Sequence, residues 1–579
     1  MMRPGAAIGV DTGGTFTDLV RIERDDISVT KILSTPDNPA DAIFDAIGQT
    51  GVDPSAIARF VHGTTVATNA LIERTGSGVA LFATQGFRDL LRIQRIRRPD
   101  HFGLHWQKPK PLVPRRLSFG VPERVLFDGT VERPLDEAEV ARIGEELRER
   151  GEARAIAVSY LFSFVNPEHE LRTREILREV FPEAEVSLSC EVLPRWREFE
   201  RTSTTVIDAY LKPRVKGYLR DLERRCESAG IPEPMIVRSN GGVAPARMAA
   251  EMPAALVRSG PAGGVVAACH LGRRLGLGDL IAADMGGTSF EAALLPGSAP
   301  TYTNDEELQW GAPIAITMVD VRSIGAGGGS LAEVDVAGML RVGPKSAGAM
   351  PGPACYGRGG TGATVTDSNV QLGRLPAAFQ LAGSLELKPE LAREALGRLG
   401  DQLGYDPDRV AHGIISIANN HMAQALRLVS TDRGYDTRDA TLVAYGGAGP
   451  LHACELAAAL RLRRVLVPRF PGALSALGGL LAEERLDLAR TRHMLHADAD
   501  VERIRDLFAQ LEAEAAERLG VRPGEDELVV KRSIDARYVN QNWELNVDVP
   551  GGEIAADVLG EIATAFEREH ERVYGYSIE

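Results

Sequence analysis

The sequence predicts an α/β fold built as two related halves with a smaller α+β unit behind them. Three observations carry that reading. Short apolar runs alternate with amphipathic stretches from residue 6 to residue 482, as strands and helices do in α/β domains. The segment Ile8-Gly-Val-Asp11-Thr-Gly13-Gly14-Thr15 returns as Ile281-Ala-Ala-Asp284-Met-Gly286-Gly287-Thr288, so one strand-and-turn is written twice. A chain of 579 residues is also too long for a single core.

Taken in order, residues 6–34 read as strands (AAIGVD, FTDLVRIE, ISVTKILS), and 40–50 as a helix. Residues 60–73 read as a strand, a turn bearing hydroxyls and a helix, and Val79–Thr84 as a short strand. Residues 95–124 are rich in Arg, Lys and Pro, with little periodicity, and read as a surface excursion. A charged amphipathic helix is expected over 136–150 and a buried strand over 155–161, closing a first domain at residue 190. A second domain, 191–482, holds a long helix over 203–229 and a strand over 234–239. The turn Ser259-Gly260-Pro-Ala-Gly263-Gly264 then opens an apolar helix ahead of the repeated loop. Segments 325–330 and 351–360 are too rich in Gly and Pro for regular structure, and Thr441–Tyr445 reads as a strand entering Gly446-Gly447-Ala-Gly449. The last domain, 483–579, reads as a charged helix (501–519), alternating strands (527–549) and a final amphipathic helix (558–573).

A net charge of −14 and a pI near 5.5 argue against a non-specific nucleic-acid binder. The five cysteines are scattered, without Cys-x-x-Cys or zinc spacing, which fits reduced thiols in a cytoplasm. The start runs straight into the first strand and leaves no room for a signal peptide, and no apolar run is long enough to span a membrane.

The repeated loop suits phosphate handling. Its strand aims an Asp at a cation, its glycines let bare N–H groups approach phosphate oxygens, and its Thr adds a hydroxyl donor. Two copies so far apart imply two halves closing on one nucleotide.

Further stretches identify a resemblance: HGTTVATNALIER (62–74), EVLPRWREFERTSTTVIDAYLKP (191–213), SGPAGGVVAA (259–268), IGAGGGS (324–330), VGPKSAGAMPGPACYGRGG (342–360) and YGGAGPLHA (445–453). Together with both Asp-Gly-Gly loops, the chain resembles the A subunit of the hydantoinase/oxoprolinase family. That family includes N-methylhydantoinase, 5-oxoprolinase and the acetone and acetophenone carboxylases.

The resemblance implies the actin-like ATPase/sugar-kinase architecture, an ATP-dependent activity and a B-type partner subunit in a hetero-oligomer. Asp11 and Asp284 would hold Mg²⁺ or another divalent metal. Gly13, Gly14, Thr15, Gly286, Gly287 and Thr288 would cradle phosphates, and Gly446, Gly447 and Gly449 would meet the nucleoside. Asp18 is a candidate for proton transfer or substrate orientation, and equally for capping its turn. The implied reaction is phosphorylation of a cyclic amide oxygen to activate ring opening. The alternatives are a ketone carboxylase subunit and a non-catalytic scaffold.

The chain departs from the family pattern at several places. Phe290-Glu291 stands for the usual Thr-Asp, and Arg322 for the common His. Residues 93–99, IQRIRRP, replace a commoner I-G-R-Q-x-R-P, and the chain stops well before A subunits commonly do. Other residues admit two readings each. His62 is a substrate contact or a structural His, and His452 a packing or capping residue ahead of a ligand. Asp367 is a metal or substrate ligand or a structural acid, and Arg322 binds a carboxylate or pairs with a neighbouring acid. The basic stretch Arg92–Arg98 reads as a solvated face or a subunit contact.

Overall fold

The computed structural model describes residues 5–24, 26–35, 38–98, 102–103, 105–307, 310–376, 378, 385–521, 528–552, 554–555 and 557–578. Two sheets share one topology. In the first, strand Ala6–Thr12 lies between the antiparallel Phe16–Glu23 and the parallel Ile57–Thr64; Asp26–Leu33 extends one side, and Met235–Val237 and Val243–Pro245 the other. In the second, Leu280–Met285 lies between the antiparallel Phe290–Leu295 and the parallel Thr441–Tyr445, with Arg322–Ile324 and Arg464–Leu466 outside them. Numbering the strands within each half, both run 3-2-1-4-5, with a sixth strand added beyond the fifth in the first half. That duplicated order is the two-lobed architecture of actin-like ATPases and sugar kinases.

Strand residues such as Ile8, Val10, Ile281 and Ala283 are fully buried, because helices cover the sheets on their inner faces. The helix Pro39–Gln49 starts where the Asn38 side chain accepts the Ala40 N–H, a cap worth about 1 kcal/mol. Each half ends in a helix that meets the other half. Ser259–Leu275 follows the first sheet and Leu474–Leu481 the second, and they cross so closely that a Cβ on Gly478 would collide with the Gly263 carbonyl.

The first half carries an insertion between its fourth and fifth strands: a parallel sheet of Glu185–Leu188, Ala155–Ser159, Val79–Thr84 and Ser118–Val121. Ser118–Val121 falls inside the stretch read from sequence as a surface excursion. Its four residues, flanked by Arg and Pro, are too short for periodicity to register. The helix expected over 203–229 begins earlier, at Glu198, and Pro213 lies inside it without ending it. Strands Met235–Val237 and Val243–Pro245 belong to the first sheet, so that sheet draws on residues from both sides of position 190. Beyond residue 483, helices Val501–Leu519 and Val558–Tyr574 flank the hairpin Ser533–Ala536/Leu545–Asp548 around Val549, Val558 and Ile562. No described helix is long and apolar enough to cross a membrane.

Candidate functional site

The two loops are built alike. In each the chain turns back through one amide: Gly13 N–H donates to Phe16 O at 3.0 Å, and Gly286 N–H to Ser289 O at 3.1 Å. The register then sets carboxylate against carboxylate, Asp11 opposite Asp18 and Asp284 opposite Glu291. Each leading Asp also lies over a glycine ending the neighbouring parallel strand. A Cβ on Gly63 would stand 2.6 Å from Asp11 Oδ1, and one on Gly446 would collide with Asp284 Oδ1. Gly260, in the first turn of helix Ser259–Leu275, borders Asp11 as well, its Cβ position 3.6 Å from Oδ1. The loops meet across the cleft, with the Cβ position of Gly287 only 3.4 Å from Thr15 Oγ1.

The cleft is short of positive charge. Burial and then the Asp18 charge raise the Asp11 pKa to about 7. Burial, followed by the charges of Glu291, Asp11 and Asp18, raises that of Asp284. Glu291 is also raised by burial, although the Ser323 hydroxyl donates to its Oε1 at 3.1 Å. One ammonium sits in direct contact with this group: Lys31 Nζ lies 2.6 and 2.8 Å from the two Asp18 oxygens. Asp18, one of the sequence's candidates for proton transfer, is therefore engaged by a lysine. Such a cluster favours a bound cation, which would draw the carboxyls back to their charged forms.

The donor set fits a hydrated divalent ion. Among the described residues no three His, Cys, Asp or Glu side chains converge to enclose a metal. An ion at Asp11 and Asp284 would complete its shell with water and phosphate oxygens, the habit of Mg²⁺. The phosphate donors are fewer than the sequence suggests, because the turns consume the Gly13 and Gly286 amides. Those of Gly14, Thr15, Gly287 and Thr288 have no acceptor among the described residues. The adenosine assignment also narrows. Gly446 makes room for Asp284 and donates its N–H to Pro471 O at 2.9 Å, and Gly449 packs against the strand below it, its Cβ position 3.3 Å from Ala283 O. Gly447, like Gly14, looks into open space.

Two family models cover most of the chain: the Hydantoinase/oxoprolinase N-terminal region over residues 7–181 and Hydantoinase/oxoprolinase over residues 201–487. The chain belongs to the hydantoinase/oxoprolinase family. Caprolactamase subunit alpha of Pseudomonas jessenii is 35% identical, with 98% of this chain and 84% of that protein aligned. An uncharacterized protein of Methanocaldococcus jannaschii is 37% identical over 99% of this chain and 85% of its own length. The crystal structure of the ATP-dependent caprolactamase from P. jessenii superposes with a TM-score of 0.88 at 34% identity, covering 99% of this chain and 85% of that one. A nucleotide-free acetone carboxylase structure gives 0.80 at 27% identity, covering 98% and 85%.

Against the hydantoinase/oxoprolinase pattern, the departures acquire physical reasons. Phe290 is fully buried opposite Met285 and Ile324, so it fills the core beneath the second loop. Arg322 is exposed on an edge strand and makes no ion pair among the described residues; the charges around it are those of Arg258 and Glu306, which pair with each other at 2.8 Å. Asp367 is structural. It caps helix Val365–Gln371 and accepts from Cys355 N at 2.7 Å, Thr364 N at 2.9 Å and Thr364 Oγ1 at 2.8 Å. His62 is buried with Nε2 2.7 Å from the Tyr218 hydroxyl, and His452 is held by Asn419 at 2.7 Å; burial lowers both to about 4, so both stay neutral near pH 7. Burial holds the Cys226 and Cys269 thiols up at about 12, which leaves neither as a nucleophile. Sequence reasoning had no role for Lys31, Gly63 or Arg258. The motifs containing Gly63 and Gly260 were visible, but a glycine's partner is set by the fold.

Proposed function

We propose that this chain is the nucleotide-binding subunit of an ATP-dependent cyclic amide hydrolase, working with a B-type partner. The observation that carries the reading is the pair of Asp-Gly-Gly loops touching at Thr15 and Gly287, each with its carboxylate seated over a strand-ending glycine. Similarity to an ATP-dependent caprolactamase over nearly the whole chain supports the substrate class. An unactivated amide resists water because it is resonance-stabilised and its leaving group is poor. Transfer of the γ-phosphoryl group to the amide oxygen breaks its bond to ADP and leaves an imidate phosphate. Water then adds to the imidate carbon, and the ring C–N bond of the adduct breaks, the nitrogen taking a proton and leaving as the amine. A second water hydrolyses the remaining acyl phosphate to carboxylate and phosphate.

In this reading the free amides of Gly14, Thr15, Gly287 and Thr288 orient the phosphates from both lobes. Asp11 and Asp284 hold Mg²⁺, which supplies neutralisation of the charge developing on the transferred group. Lys31 favours the ionised form of Asp18 and offsets its repulsion of Asp11. The likeness to an acetone carboxylase structure favours a second reading, in which a ketone enol oxygen takes the phosphoryl group and bicarbonate is required.

The test is ATP turnover by the chain reconstituted with its partner, with caprolactam, hydantoin or 5-oxoproline, with and without bicarbonate. Lactam-dependent turnover without bicarbonate is expected. Asp11→Asn and Asp284→Asn should each lower it at least about 100-fold with the circular dichroism spectrum unchanged. Full activity in either variant would overturn the assignment.

A further inference from the structure

Outside the nucleotide cleft, a groove of about 100 Å³ opens where the inserted sheet's loop, the start of helix Glu198–Ala229, the hairpin of strands Glu306–Glu307 and Pro313–Ile314, and the C-terminal unit come together. Junctions between structural units are where small-molecule sites concentrate. Its apolar lining is aromatic: Phe199, Trp310 and Trp543.

The three rings differ in setting: Phe199 belongs to the buried core and floors the groove, Trp310 packs edge-on against Trp106 at 6.3 Å, and Trp543 lies nearer the surface. Trp543 is 39% exposed and held by Arg97 at 5.3 Å and Arg197 at 4.3 Å from its ring centre. Arg95 lies 5.9 Å from the Phe199 ring while its Nε is bound to Glu200 at 2.8 Å. The charged lining residues, Arg95 and Arg97 against Glu200, Asp305 and Glu307, nearly cancel. A strongly anionic or cationic ligand is therefore not what the groove selects; a flat, uncharged ring is.

Backbone strain gathers at the same place. Gln94 holds φ 57 and ψ −144, and Ile96 and Arg197 have φ of 54 and 74. For residues other than glycine such conformations cost about 1–3 kcal/mol each and cluster where a ligand is clamped. The Gln94 carboxamide reaches across the groove to donate to Gly311 O at 3.2 Å, tying the loop to the hairpin beside Trp310.

The same hairpin links groove and cleft edge. Successive residues of a strand point to opposite faces. Glu306 turns to Arg258, the residue that precedes the helix bordering Asp11, and Asp305 and Glu307 line the groove. We propose that this groove takes an aryl substituent of the cyclic amide, with Trp310 and Trp543 as the rings that select it and Gln94 as the residue that positions Trp310's loop. The inference rests on the cyclic amide reading above and adds a substrate class to it.

The test is calorimetric and fluorimetric binding of 5-phenylhydantoin and of unsubstituted hydantoin to the full chain without ATP. The phenyl compound should bind about 10- to 100-fold more tightly. Trp310→Ala and, independently, Trp543→Ala should each remove most of that preference, and Trp310→Phe, which keeps a ring, should retain it within about 3-fold. Equal affinities in the wild type, or a preference untouched by both alanine variants when their circular dichroism is unchanged, would overturn the proposal. The functional reading is scored separately by ATP turnover: a Trp310-dependent preference with no amide-stimulated hydrolysis upholds the groove and rejects the lactamase assignment.

Discussion

Asp11 offers a quantitative test of the cleft. Burial and Asp18 hold its pKa at about 7 in the ligand-free protein, whereas a metal ligand must be ionised. If Asp11 takes the metal as proposed, binding of Mg·ADP should expel the proton that it carries. The carboxyl is about nine-tenths protonated at pH 6, half at pH 7 and one-tenth at pH 8. Affinity should thus fall about 10-fold between pH 8 and pH 6 from this group alone, and about half a proton should be released per site at pH 7. For the ligand-free fold the sign is the reverse of a salt-bridged acid. A raised carboxyl pKa contributes stability that is full below about 3.8 and is lost as the pH rises through about 7. Isothermal titration in two buffers of different ionisation enthalpy measures the proton count directly. Asp11→Asn should bind more weakly, release about 0.5 fewer protons at pH 7 and lose the Asp11 share of the pH dependence. Equal proton release by wild type and variant between pH 6 and pH 7 would refute the electrostatic account of this cleft.

Other consequences are simpler to check. Lys31→Met removes the ammonium bonded to Asp18, so Mg·ADP binding at pH 7 should weaken several-fold and its pH midpoint move upward, read by the same titration. Gly478→Ala places a methyl group on the Gly263 carbonyl at the helix crossing; destabilisation of about 1–3 kcal/mol in urea unfolding is expected, and an unchanged midpoint would show that the crossing is looser than described. Asp367→Ala strips the cap and buried amides of their acceptor and should cost about 2–4 kcal/mol, seen as a lower thermal midpoint, with Mg·ADP affinity of the folded protein within about 2-fold of wild type.

Much of the architecture was legible in the residues. The repeated strand–Asp–Gly–Gly pattern gave both loops, and apolar alternation gave strands such as Val79–Thr84 and helices such as Val501–Leu519 at their observed bounds. Amphipathic periodicity placed the helix over 136–150, which the structure starts at Glu137 behind an Asp136 cap. What escaped was whatever depends on long-range closure. Ser118–Val121 is a strand because Val79–Thr84 is waiting for a parallel partner, and nothing local in its sequence says so. For Gly446 the family resemblance implied a contact with the nucleoside. Only the register of strand Thr441–Tyr445, which sets Tyr445 opposite Asp284, shows that it clears space for a carboxylate. Of the two readings the sequence left for Asp367, the four donors on its carboxylate, from Ala354, Cys355 and Thr364, favour the structural one.

The insertion between the fourth and fifth strands of the first half has a consequence for how such proteins diversify. Its ends return to neighbouring positions in one sheet, so length added there leaves the spacing of Asp11 and Asp284 untouched. Selection can therefore rework the inserted unit and the hairpin facing it as an interchangeable attachment, while the paired Asp-Gly-Gly loops underneath keep their spacing.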